Sequence, residues 1–318
     1  MIVFFVLSGL VITATSLKPD HDLRDYVIAR VARIYPVAIP AIVLGFVAYA
    51  YADAGGLATG TFNDAANFKP LAALSSLLFL NESWASTLKP VWNHPYWSIC
   101  YEVFYYIIFG CIVFGRGIWR WVLTGLAVLM AGPRILALAP IWAMGAWIAC
   151  DPRLRISNAA AGLILVIVTW IAIFAFNASG IDGRVQDFMY AEVSWWWRLG
   201  SSQKTMTDHI VGLLVVLNFV GFRACAHWFG SALQRFAATI RFLAASTFSL
   251  YLFHRPMTKL LGAHGTSAGD NTLYATGLLL LIVTSCFALA EITEKRRLSA
   301  RQLLSRWWPR KPVCPAVP

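Results

Sequence analysis

Apolar residues in this chain come in long, nearly uncharged runs rather than in the alternating or amphipathic patterns of soluble strands and helices. A helix that crosses a bilayer requires about 20 mostly apolar residues, with 17 to 25 tolerated. Runs of that kind cover residues 1–17, 35–52, 97–114, 118–133, 135–150, 157–178, 208–222, 242–262 and 272–291. The pattern therefore predicts an all-α fold, a polytopic transmembrane helix bundle of about nine spans. Gly132, Pro133 and Arg134 read as a tight turn between two short spans. The run 70–80 (PLAALSSLLFL) is too short to span and is expected to lie at the interface or re-enter. Residues 1–292 form the membrane-embedded domain in this reading, followed by a basic cytoplasmic tail at 293–318. No fixed-period repeat is present, which excludes a solenoid, and no inverted repeat of the transporter kind is visible.

Composition narrows the classes further. Of 318 residues, 59% are hydrophobic and 13% charged, against roughly 25% charged in ordinary globular domains. A soluble two-domain protein is excluded. Fourteen Trp, 20 Phe and 11 Tyr exclude disorder equally. The formal net charge is +11, and its placement decides what it means. With nine spans, 18 of the 26 Lys and Arg fall on one side, the side of the tail. That side is expected to be cytoplasmic, with Lys295, Arg296, Arg297 and Arg301 resting on anionic lipid. The charge is thus topological, and no nucleic-acid partner is expected. The six cysteines are scattered, with no CxxC pair and no histidine at ligand spacing, so neither a metal site nor a disulfide framework is expected. Parity leaves Met1 outside, directly at an apolar run without a basic n-region, and so predicts a tenth helix upstream of it.

Three segments carry candidate chemistry. In Pro95–Tyr106 (PYWSICYEVFYY), Glu102 lies about five residues into a span, where a carboxylate costs about 3 kcal/mol unless paired or wetted. Ser98, Glu102 and Tyr105 stand at i, i+4 and i+7 on one helical face, with Trp97 and Tyr101 on the neighbouring stripe. The aromatic residues alone are explained by an interfacial belt; the carboxylate is not. In the second segment, Arg30 and Arg33 are one turn apart, with Tyr35 and Pro36 following, and Pro36 is expected to open the next span. Their charge serves either as a positive-inside anchor or as a bidentate grip on phosphates, and spacing leaves both open. In the third, Thr247, Tyr251 and His254 repeat the i, i+4, i+7 spacing, which gives a histidine on a hydroxyl stripe the means to move protons. His94 reads as an ordinary loop residue, and the Ser8-Gly9 pair as close helix packing.

Taken in order, FFVLSG (with Leu10 and Ile12) at residues 4–12, RVARIYP at 30–36, WSICYEVFYY at 97–106 and SLYLFHRP at 249–256 resemble the acyltransferase 3 family of integral-membrane O-acyltransferases. The resemblance implies transfer of an acyl group, usually acetyl, from a coenzyme A donor on the cytoplasmic side to a hydroxyl of a sugar or other envelope or exported acceptor. It implies no permanently bound cofactor. Membrane lipid and a saccharide or lipid-linked glycan are the implied partners, in the inner (plasma) membrane. Arg33, Ser98, Glu102 and His254 match motif positions, with Arg30 beside them. The candidate catalytic set is therefore Glu102, His254, Ser98 and Tyr105, and the candidate donor-binding set Arg30, Arg33 and Tyr35. Ile99 and Cys100 depart mildly from the family's pattern. More serious, the family's first helix, bearing a histidine regarded as its catalytic base, is expected ahead of FFVLSG, in agreement with the parity argument; the chain begins late or is a non-catalytic remnant. From other classes, a transporter or flippase of a lipid-linked precursor would also use buried Glu and His as a proton path, and a non-catalytic assembly partner in an envelope glycan system is a third reading.

Overall fold

A computed structural model describes residues 1–57, 62–86, 88–263 and 272–309. Among these there is no strand, and the helices run in the order α1 (Ile2–Ser16), α2 (Leu23–Ala54), α3 (Phe62–Asn67), α4 (Pro70–Leu77), α5 (Trp97–Phe114), α6 (Gly117–Leu136), α7 (Ala139–Cys150), α8 (Ala159–Ala178), α9 (Ile181–Glu192), α10 (Thr205–Cys225), α11 (Gly230–Arg235), α12 (Ala237–Ala244), α13 (Thr247–Ala263), α14 (Thr272–Ile292) and α15 (Arg297–Trp307). The end of the basic tail, residues 310–318 with Cys314, lies outside the described residues.

The described residues form an all-helical fold, and five helical stretches among them are long and apolar enough to cross a membrane. They contain α2, α5, α8, α10 and α14. A sixth arises if α6 and α7, bent by 108° at their junction, make one broken span. The remaining apolar runs become shorter helices: 1–17 is the 15-residue α1, and 242–262 is divided between α12 and the 17-residue α13. A count of nine is thus not established by helix length. The Gly132-Pro133 turn read from the sequence is a break inside α6, ahead of the α6–α7 junction, with Gly132 at φ 74°, a conformation that a Cβ disfavours. Pro36 does not open a helix. It lies inside the 32-residue α2 together with Pro40, because each proline only removes one donor, a loss that neighbouring groups in a membrane bundle make good. The 70–80 run forms the eight-residue α4, with Ala72 and Ser76 fully buried and Leu71 and Leu74 exposed.

α2 is the axis of the site. It packs against α4, α5, α13 and α15. At its beginning, called here the tail face, Arg24 donates to the carbonyls of Ser305 (3.0 Å) and Trp308, clipping α15 onto it. Tyr26 donates to the carbonyl of Tyr106 at 2.8 Å, midway along α5. At the opposite, far face, Ala48, Tyr49 and Ala52 pack on Val91 and Trp92. Beside this axis α1 lies backbone to backbone on α7. A Cβ on Gly9 would stand 2.0 Å from the carbonyl oxygen of Trp142, and one on Gly145 equally close to that of Val6. Small residues permit this approach where the lipid supplies no hydrophobic drive. One buried charge pair secures the loop between α4 and α5: Arg134 meets the fully buried Glu82 at 3.3 Å and donates to the carbonyls of Ser86 and Arg198.

Candidate active site

The α5 sequence brings two turns of hydroxyl and carboxyl groups into an otherwise aromatic core, and the helices around it decide which of them meet. Glu102 is 3% exposed. Its Oε1 accepts from Ser8 Oγ of α1 at 2.9 Å and from the hydroxyl of Tyr106, one turn farther along α5. Ser8 in turn accepts from Trp142 Nε1 of α7 at 3.2 Å. The close α1–α7 packing therefore delivers a hydroxyl, held by an indole, to the carboxylate. Arg30 and Arg33 of α2 stand near enough for their charge to act on Glu102. Arg30 lies over the rings of Tyr26 (5.1 Å) and Tyr106 (5.4 Å), and its Nε is buried without a hydrogen-bond acceptor. Two cations thus offset a carboxylate that would be costly alone at this depth.

Arg33 acts also on a second carboxylate, Glu294, beyond the end of α14. Glu294 accepts from the backbone N–H (3.0 Å) and hydroxyl (3.1 Å) of Ser249 near the start of α13. The RVARIYP, WSICYEVFYY and SLYLFHRP segments thereby converge around one guanidinium. His254 lies nearly a turn and a half beyond Ser249. Carbonyl oxygens of Tyr251 (2.8 Å) and Leu250 (3.1 Å) face its Nδ1; a carbonyl only accepts, so Nδ1 carries a proton and the neutral ring has its lone pair on Nε2.

The predicted residues fall into two groups. Ser98 does not bond Glu102. Its Oγ pairs with the hydroxyl of Tyr251 at 3.0 Å, next to the carbonyl of Pro95, and so joins α5 to the His254 helix. Tyr105 is turned elsewhere: its hydroxyl donates to the carbonyl of Ile135 at 2.8 Å, and its ring packs edge-on against Phe5. The hydroxyl at the carboxylate is that of Tyr106. Tyr35 donates to the carbonyl of Leu77 at 3.3 Å and, with Arg30, lines an apolar groove of about 440 Å³ that opens beside α2 and α5. Glu102, Arg30 and Arg33 thus form one cluster, and Ser98, Tyr251 and His254 another, about 6 Å or four residues up α5. Ser8, Tyr106 and Trp142 were missed. The signal for Ser8 was in FFVLSG, where a hydroxyl beside a glycine reads equally as packing. Among the described residues no cluster of His, Cys, Asp or Glu is arranged to hold a metal ion.

Comparison with known proteins yields no match among curated proteins or solved structures. A family model, that of an acyltransferase domain, matches residues 1–291 of the 318 and takes in every residue of both clusters. With nearly the whole chain covered, the chain belongs to the acyltransferase 3 family and is a membrane acyltransferase.

Proposed function

We propose that this acyltransferase moves an acyl group, acetyl foremost, from acyl-coenzyme A to a hydroxyl of a cell-envelope or exported saccharide, free or lipid-linked. The observation that carries the reading is the buried Glu102 carboxylate, clasped by Ser8 and Tyr106 beneath the charges of Arg30 and Arg33. The concentration of Lys and Arg in Arg24, Arg30, Arg33 and the tail supports a cytoplasmic tail face in the inner plasma membrane, the side on which coenzyme A thioesters are found. A donor phosphate or thioester oxygen there would satisfy the unpartnered Nε of Arg30, with Arg33 alongside and the groove lined by Tyr35 taking the donor's apolar arm.

In this reading the acceptor oxygen attacks the thioester carbonyl carbon while its proton passes to Nε2 of His254. The carbon–sulfur bond then breaks, the proton goes to the leaving sulfur, and the products are an ester and free coenzyme A. Glu102 holds the two guanidiniums that would meet the donor, while Ser98, through Tyr251, sets α13 and its histidine against α5. The test is acceptor-dependent release of coenzyme A thiol by purified protein in lipid vesicles. Release that requires a hydroxylated saccharide supports the reading. Movement of a lipid-linked glycan across the vesicle with no thiol released would replace it with transport.

A further inference from the structure

The far face carries a polar cavity that the chemistry above does not use. It has a volume of about 350 Å³ and is lined by Asp64, Lys89, Asn93, His94, Arg255 and Lys259 among others. Three elements build it. The loop before α5 supplies Lys89, Asn93 and His94, α3 supplies Asp64, and α13 supplies Arg255 and Lys259. Three cationic side chains therefore face one carboxylate. Lys259 meets Asp64 at 3.9 Å, and Lys89 meets Glu82 at 3.8 Å, a carboxylate already shared with Arg134. Arg255 is exposed and forms no ion pair with any described residue. The charges of both Lys89 and Arg255 act at His94, so the excess is concentrated at one mouth.

A second observation points to a ligand. Asn93 is 1% exposed, yet neither its amide nitrogen nor its oxygen has a hydrogen-bond partner. A buried amide of this kind is costly unless something enters to meet it. It is among the residues lining a cavity whose cations would hold an anionic group, and amides beside cations recognise the hydroxyls that flank such a group on a sugar. The cavity also stands next to the proposed chemistry. Arg255 follows His254 directly, and His94 precedes Pro95, whose carbonyl accepts from Tyr251 in the Ser98 cluster.

We propose that the far-face cavity is the acceptor subsite and that it selects a saccharide bearing a carboxylate or phosphate, with Arg255 and Lys259 on the anionic group and Asn93 on a neighbouring hydroxyl. The proposal rests on the acyl-transfer reading and adds the charge of the substrate to it. Its test is direct binding, by saturation-transfer NMR, of D-glucuronate, D-glucose 6-phosphate and D-glucose to the full chain in nanodiscs of phosphatidylcholine, repeated with phosphatidylglycerol included. Both charged sugars are expected to bind at least tenfold more tightly than glucose. Arg255→Gln, at an exposed site free of folding duties, is expected to lose most of that preference, and Arg301→Gln on the tail face none of it. Equal binding of charged and neutral sugars, or no binding of any, overturns the proposal. So does displacement of both charged sugars by phosphatidylglycerol, which would make the cavity a lipid headgroup site. Thiol release that proceeds equally well with neutral saccharides refutes charge selection and leaves acyl transfer standing. Charged-sugar binding without any thioester cleavage does the reverse.

Discussion

Two neighbouring tyrosines in α5 have opposite duties, and single hydroxyl deletions separate them. Tyr106 donates to the Glu102 carboxylate, and a hydrogen bond to a charged group contributes about 1.5–3 kcal/mol. Tyr106→Phe is expected to lower turnover by about tenfold or more and to cost about 1.5–3 kcal/mol of stability, because the buried carboxylate loses a donor. Tyr105 donates to the carbonyl of Ile135 instead. Tyr105→Phe is expected to lose about 1 kcal/mol of stability with turnover kept. Turnover and melting temperature measured on both variants check the contrast, and reversed effects would return Tyr105 to the site. Helical spacing leads to Glu102 itself, since a lone carboxylate in an apolar run has to be answered by something. Spacing alone does not choose between the tyrosines. Positions i+3 and i+4 flank the same stripe of a helix, and which one meets the carboxylate depends on where the neighbouring helix brings Ser8. That neighbour is 94 residues away in sequence, so no local pattern contains the answer.

At the scale of elements, the α1–α7 contact is what carries Ser8 and Trp142 to the carboxylate. Gly9→Ala would place a methyl group 2.0 Å from the carbonyl oxygen of Trp142, far inside contact distance. Alanine favours an isolated helix over glycine by about 1 kcal/mol, so propensity alone predicts a gain. The packing predicts a loss: α1 shifts, folded yield falls, and whatever folds has reduced turnover. Detergent-stable yield by size exclusion decides between them. Helix limits set by uncharged runs alone were legible from the sequence. The run 97–114 is α5 residue for residue, and 157–178 and 272–291 lie within two residues of α8 and α14. α2 begins 12 residues before its apolar run, because Arg24, Arg30 and Arg33 continue the helix out of the apolar zone, each with a partner or aromatic face that an uncharged-run criterion ignores. The run 242–262 ends within one residue of α13, whose Arg255 and Lys259 reach the far-face cavity, and misses only the break that separates α12 from α13.

Across the whole molecule, buried charge is arranged in separate pairs with separate tasks. Glu82 and Arg134 fasten the loop before α5 to the last turn of α6, beyond its break at Gly132. Burial pushes the Glu82 carboxyl above the usual carboxylate range even with Lys89 and Arg134 beside it, so its desolvation is incompletely offset. Arg134→Met removes the closer cation and is expected to destabilise the fold by about 3–5 kcal/mol. Glu82→Gln combined with Arg134→Met should recover part of that loss; a double variant as unstable as the single one would show that the arginine serves the Ser86 and Arg198 carbonyls more than the carboxylate. The Glu102 pair differs, since its loss should remove activity rather than structure. The most direct measurement is transfer of labelled acetyl from acetyl-coenzyme A to a saccharide by matched amounts of folded wild type and Glu102→Gln in lipid vesicles. A fall of about 100-fold or more in Glu102→Gln, with folded yield unchanged, is the predicted result. Near wild-type transfer by that variant would contradict the account.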